Sequence, residues 1–200
     1  MNHIKIAIIP ARGGSKRIPR KNIKPFLGKP IIAYSIETAK ASGLFDRIIV
    51  STEDDEIKKI ASDYGAEIFN RQPELAEVNG MPDPGTTAVT GNALSNIQCN
   101  KHDYACCIYA TSPLLQIKDL KYGYELIKGM LSGFAFSVGT EPLCDAGQFY
   151  WGRASSFMAN EPVYSEKSIM IPIDSGRVCD INTEEDWAKA EQMHKALYDK

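Results

Sequence analysis

The chain has 200 residues, 23 basic and 25 acidic, with 44% hydrophobic and 24% charged side chains. That length and balance suit one globular domain over residues 1–200, large enough for a substantial core and ordinary for a soluble protein. No apolar run is long enough for a membrane span, residues 1–5 run into a basic loop instead of opening a signal peptide, and five cysteines without C-x-x-C spacing point to a reduced, cytoplasmic setting rather than a zinc site.

In chain order, the first apolar run (4–9) reads as a buried strand that stops at Pro10 and empties into a loop rich in glycine and cations. No acidic residue precedes Glu37, whereas Lys5, Arg12, Lys16, Arg17, Arg20, Lys21, Lys24 and Lys29 place eight positive charges there and leave an acidic excess of ten on the rest. A cationic loop at a strand end suits a polyphosphate, and a single such loop on an otherwise acidic chain argues against nucleic acid. Gly13 and Gly14 give the backbone access to positive φ and close ligand approach, and the Gly13–Ser15 N–H groups offer an anion-binding concavity. Arg12 brings bidentate phosphate contacts, and Lys16 and Lys21 bring point charges. Neither G-x-x-x-x-G-K-[ST] nor G-x-G-x-x-G is present.

Residues 30–42 follow as a helix that begins at Pro30 and ends before Gly43. Apolar runs at 47–52, 66–70, 104–109 and 134–139 then alternate with helical patterns at 54–64, 86–98 and 118–131. This alternation predicts an α/β chain with a largely parallel sheet, helices on both faces, and ligands beyond the C-terminal strand ends. The segment 77–87, rich in Gly and Pro, is either a mobile lid or a surface connection. The last third reads as short β-like pieces at 146–152, 169–173 and 177–181. A capped helix follows, with Thr183 before Asp186 and Trp187, Ala190, His194 and Leu197 at helical spacing.

The segment Ile9-Pro10-Ala11-Arg12-Gly13-Gly14-Ser15-Lys16-Arg17-Ile18-Pro19-Arg20-Lys21-Asn22-Ile23 resembles the first signature of the CMP-sialic acid synthetases, which activate nine-carbon acidic sugars with CTP. Within that family, Asp145-Ala146-Gly147-Gln148-Phe149-Tyr150-Trp151-Gly152 is most similar to the pseudaminic acid branch. The resemblance implies a three-layer αβα, Rossmann-like nucleotidyltransferase fold with a twisted sheet. It also implies a Mg²⁺-dependent transfer of CMP from CTP to a nonulosonic acid. Pseudaminic acid is the first choice, sialic and legionaminic acids are alternatives, and a nucleotide-binding module without turnover is a further one.

The same resemblance marks candidate residues. Arg12, Lys21 and Asp180 are the catalytic set, and Ala11, Gly13, Gly14, Ser15, Lys16, Asn22, Arg71, Thr111 and Ser112 hold the nucleotide. Arg71 has the alternative of a surface ion pair, and Thr111-Ser112-Pro113 that of a plain turn. Asp145, Gln148 and Tyr150 are sugar contacts, unless the aromatic run is simply core. Asp180 and Asn182 share one side of the chain and are the Mg²⁺ ligands, unless Asp180 is simply a carboxylate at a helix end. Family members commonly carry a second aspartate where this chain has Asn182, and glutamine-proline where it has Tyr109-Ala110. They also have a long excursion, contributing to dimer packing and the sugar pocket, where this chain has only Thr140–Cys144. Homodimerisation is therefore left open.

Overall fold

A computed structural model of the chain describes residues 3–72 and 85–198. The first apolar run forms β1 (Lys5–Pro10), and the basic loop ends in a 3-10 turn at Lys21–Ile23. A small hairpin, β2 (Pro25–Phe26) and β3 (Lys29–Pro30), leads into α1 (Ile31–Ser42), which closes on Gly43 in the left-handed region. Then come β4 (Arg47–Thr52), α2 (Asp55–Asp63), β5 (Glu67–Asn70), α3 (Gly85–Asn96), β6 (Tyr104–Ile108) and α4 (Ile117–Ile127). The chain finishes with β7 (Phe134–Thr140), β8 (Leu143–Arg153), α5 (Ala154–Met158), β9 (Ile169–Ile173) and α6 (Glu184–Tyr198).

Seven strands make the central sheet in the order β5-β4-β1-β6-β8-β7-β9. Only β8 runs antiparallel, because a tight reversal at Glu141-Pro142 returns the chain alongside β7 and inserts it between β6 and β7. The sheet is therefore largely parallel, as the alternation of elements predicts.

The inner strands β1 and β6 are buried on both faces, which explains their nearly continuous apolar sequences, whereas the edge strands β5 and β9 keep exposed residues. In β1, Ala7 and Ile9 pack with Ile32 and Ile36 of α1, Ile57 of α2 and Leu120 of α4. Ile6 and Ile8 point the other way, with Ala93 and Leu94 of α3 and Phe157 of α5. The adjacent cysteines of β6 split likewise, Cys106 to the first face and Cys107 to the second. Alternation also sorts the aromatic run of β8, with Phe149 and Trp151 on one face and Tyr150 on the other.

A third apolar cluster ties the two ends of the chain together. Ile18 of the basic loop, Phe26 of the hairpin and Ile31 pack against Ile181, Trp187 and Ala190. Thr183 and Asp186 exchange backbone and side-chain hydrogen bonds (Asp186 N to Thr183 Oγ1, 3.1 Å; Thr183 N to Asp186 Oδ2, 2.8 Å), so the predicted capping box opens α6.

Two expectations change. The piece at 177–181 is not a strand: Ser175–Arg177 is a 3-10 turn, and residues 178–182 run unpaired toward α6. Of the lid segment, residues 77–84 lie outside the described residues, and 85–87 are the first turn of α3.

Candidate functional site

The backbone ladder continues past the strands and sets the loops that follow them. Ala11 N donates to Ser51 O (2.9 Å) and Arg71 N to Thr52 O (3.1 Å), so the residues after β1 and β5 flank the end of β4. At that end stands Glu53. Its Oε1 accepts from Gly13 N (2.7 Å) and its Oε2 from Arg71 Nη2 (3.0 Å), so one carboxylate holds both the basic loop and the strand-end arginine.

The eight early cations divide into two groups. Lys5 pairs with Asp46, Arg20 with Asp54 and Glu56, Lys24 with Glu184 and Lys29 with Glu37. These four are scaffold. Arg12, Lys16, Arg17 and Lys21 instead line a cleft of about 320 Å³, together with Ser15, Asn22 and the buried Arg71. Its remaining wall comes from Pro10, from Gly85, Thr86 and Val89 at the start of α3, and from Tyr109, Ala110 and Thr111 after β6. The cleft thus lies at the C-terminal edge of the parallel strands.

The loop's shape is imposed from outside. Arg20 sits at φ 55°, unusual for a non-glycine residue, and two guanidinium hydrogen bonds to Asp54 hold it there. Asp54 also caps α2 through Ile57 N (3.0 Å). The Arg20 hydrogen bond is the main reason the Asp54 carboxyl titrates below its ordinary range. Neither Gly13 nor Gly14 has a positive φ, contrary to the sequence expectation. Gly13 is required for space, since a Cβ there would lie 2.4 Å from Asp54 Oδ2, whereas one at Gly14 would meet nothing within 4 Å. Asn22 Nδ2 donates to Arg12 O (2.9 Å) and closes the loop internally.

Lys21 is the most informative cation. Its Nζ donates to Ile181 O (2.7 Å), linking the loop to the segment before α6. Burial lowers its pKa; Asp180 opposes the shift, and Arg17 and Arg12 add to it. An ammonium desolvated among like charges is stabilised by a bound anion.

Asp180 and Asn182 flank that carbonyl, and Asn182 Nδ2 donates to Asp180 Oδ2 (2.6 Å). Among the described residues, no group of three or more His, Cys, Asp or Glu side chains is arranged to hold a metal. None of the three histidines lines the cleft.

Other nominated residues sit elsewhere. Ala11 is buried beneath the loop. Ser112 is buried and directs its hydroxyl toward Gly147 O and Gln148 O, while Thr111 reaches the cleft. Gln148 is buried, its Nε2 donating to Arg177 O (2.6 Å). Tyr150 is also buried and touches the cleft only through Tyr109, while its own hydroxyl donates to Asp145. The aromatic run is therefore core and not an open sugar platform. Glu53, Thr86 and Tyr109 belong to the site and were not nominated. Glu53 could have been found as a carboxylate at a strand's C-terminal end.

The chain is similar to known proteins in both sequence and fold. A cytidylyltransferase family model matches residues 6–130. The pseudaminic acid cytidylyltransferase of Campylobacter jejuni (serotype O:23/36, strain 81-176) is 35% identical, covering 97% of each chain. That alignment runs over 230 positions, so the relative carries residues with no counterpart among these 200. An N-acylneuraminate cytidylyltransferase of Danio rerio is 31% identical, covering 93% of this chain and 50% of its own. Among solved structures, a CMP:2-keto-3-deoxy-manno-octonic acid synthetase complexed with CTP superposes with a TM-score of 0.75 at 13% identity, over 97% of this chain and 99% of that one.

Proposed function

The chain belongs to the cytidylyltransferase family, and from that premise we propose that it transfers CMP from CTP to a nonulosonic acid, with pseudaminic acid as the substrate. The observation that carries this reading is the convergence of Arg12, Lys16, Arg17, Lys21 and Arg71 on one strand-end cleft, while the other early cations are paired elsewhere.

In this reaction the sugar's anomeric hydroxyl oxygen bonds to the α-phosphorus of CTP, its proton passing to Asp180 or to water, the bond to the β-phosphate oxygen breaks, and pyrophosphate leaves with its charge. Arg12, Lys16 and Lys21 grip the triphosphate and neutralise charge that moves onto the leaving group, whereas the expected amide concavity is not open, Gly13 N donating to Glu53 and Ser15 N to Gly13 O. Glu53 keeps Gly13 and Arg71 in register, and Thr111 offers a hydroxyl to the nucleoside. Arg71 approaches the nucleotide from β5.

A divalent cation suits the residues present. Magnesium takes oxygen ligands and is commonly held by one or two protein groups together with substrate phosphates. Asp180 supplies a carboxylate and Asn182 an amide oxygen, and Lys21 connects both to the cleft. The ion, when bound there, would add charge neutralisation at the triphosphate.

Purified protein, CTP, Mg²⁺ and a panel of nonulosonic acids provide the test, with pyrophosphate release as the readout. Turnover with pseudaminic acid is expected to lead the panel, sialic and legionaminic acids being the competing outcomes. Arg12→Ala should weaken CTP binding by about tenfold or more, the scale for losing a charge-assisted contact. No pyrophosphate from any sugar, or unchanged CTP affinity in Arg12→Ala, would overturn the reading.

A further inference from the structure

A hydrogen-bonded row of hydroxyls runs from the cleft wall to a carboxylate, and its direction is determined. Thr86 Oγ1 lies 3.0 Å from Tyr109 OH, and Tyr109 OH lies 2.9 Å from Tyr150 OH. Tyr150 OH and Tyr164 OH (2.7 Å) both meet Asp145 Oδ2. An ionised carboxylate only accepts, so Tyr150 must give its one proton to Asp145. Tyr150 can then only accept from Tyr109, and Tyr109, its proton committed, can only accept from Thr86. Thr86 and Tyr109 line the cleft; Asp145 and Tyr150 do not. The consequence is that neither hydroxyl has a proton left to offer, and Thr86 Oγ1 keeps its lone pairs for a ligand.

We propose that Asp145, acting through Tyr150 as a positioning residue, makes the Thr86–Tyr109 wall an acceptor-only surface that recognises a hydrogen-bond donor on the bound substrates, a sugar or ribose hydroxyl, and turns phosphate oxygens away. This rests on the cytidylyltransferase reading and adds to it the polarity of the specificity wall. The two tyrosines are suited to the task. Burial pushes the Tyr109 phenol up to about 12, and burial, Tyr109 and Asp145 together push Tyr150 well above the ordinary phenol range, so neither ionises at neutral pH.

The decisive variant is Asp145→Asn. Asp145 Oδ1 accepts from Gly147 N (2.9 Å), a backbone donor that cannot reverse. An asparagine must therefore leave its oxygen at that position and turn its NH₂ toward Tyr150 and Tyr164. Tyr150 would then accept from Asn, donate to Tyr109, and pass the inversion on to Thr86, whose wall would present protons where the substrate also presents one. Tyr150→Phe only cuts the row and leaves Tyr109 free to turn.

In steady-state kinetics with CTP and the acceptor sugar, Asp145→Asn should raise the KM of one substrate by about tenfold or more. The other KM should change by less than about twofold, and Tyr150→Phe should cost only about twofold to threefold on the same KM. A selective rise in the sugar KM assigns the donor to the acceptor, and a selective rise in the CTP KM assigns it to ribose. Tyr109→Phe and Thr86→Val, which remove acceptors without touching Asp145, should raise that same KM and keep the test open if Asp145→Asn does not fold. Wild-type turnover with Asp145→Asn no worse than Tyr150→Phe, or with all KM values unmoved, overturns the polarity assignment and leaves the reaction standing. Absence of wild-type turnover overturns the reaction itself and this wall's role in it.

Discussion

Replacing Gly13 with alanine is the sharpest perturbation the loop offers. The new Cβ would lie 2.4 Å from Asp54 Oδ2 and 3.0 Å from Asp54 Cβ and Cγ. The aspartate has little room to retreat, because its carboxylate caps α2 at Ile57 N and holds Arg20. Displacing it forfeits the cap, about 0.5–2 kcal/mol. It also weakens a partly exposed ion pair, at most about 1 kcal/mol after solvent screening. Moving the loop instead loses the Gly13 N to Glu53 bond, about 1 kcal/mol. Either route costs roughly 1–3 kcal/mol, which for a chain of this size lowers Tm by about 3–10 °C. CTP affinity, followed by calorimetry, should fall at least about tenfold as the phosphate donors shift. Gly14→Ala, with nothing within 4 Å of its Cβ, should change Tm by no more than about 1–2 °C. Asp54→Ala removes the oxygen at 2.4 Å and leaves the residue's Cβ at 3.0 Å, so the cost of Gly13→Ala should fall in that background without vanishing. Equal effects of Gly13→Ala and Gly14→Ala, or a Gly13→Ala cost undiminished alongside Asp54→Ala, would refute the steric account.

The depressed Lys21 pKa means its ammonium loses its proton at a lower pH than a solvent-exposed lysine, so CTP affinity should decline as pH rises through that value, below the ordinary 10.5. The sign for folding is opposite: without ligand, the stability deficit from charging Lys21 is complete at low pH and relieved as pH rises through the folded value. Lys21→Arg should abolish the alkaline decline of CTP affinity seen below pH 10.5, since the guanidinium keeps its proton; a decline that persists would exclude Lys21 as its source. Asn182→Asp replaces a hydrogen-bond donor to Asp180 with a second carboxylate. It should lower the Mg²⁺ concentration for half-maximal pyrophosphate release about threefold to tenfold, and an unchanged requirement would argue against metal binding at this pair.

The strand runs were legible because burial on both faces leaves an uninterrupted apolar signature, as in Ile6–Ile9 and Tyr104–Ile108. The insertion of β8 between β6 and β7 was not, since a reversal at Glu141-Pro142 fixes direction without specifying which neighbour the strand joins. At 177–181 an apolar pattern produced no strand, because Ile181 is taken by Trp187 and Ile18 instead of a ladder partner.

The phosphate loop was visible as charge, yet its division into scaffold and ligand-facing cations was hidden. Arg20 finds Asp54 34 residues away, and Lys24 finds Glu184 160 residues away. Asp145 and Tyr150 were nominated as direct sugar contacts, and neither lines the cleft. Their connection to the cleft became apparent only when β8 lay beside β6 and brought Tyr109 against Tyr150.

The clamp between Ile18, Phe26, Ile181 and Trp187 has a bearing on biosynthesis. The glycine-rich turn is synthesised long before Ile181 and Trp187, which pack against its Ile18. A nascent polypeptide halted before Ile181 would possess Arg12, Lys16 and Lys21 and lack the carbonyl that aims Lys21, so full competence for nucleotide should wait on the segment that carries Ile181 and Trp187.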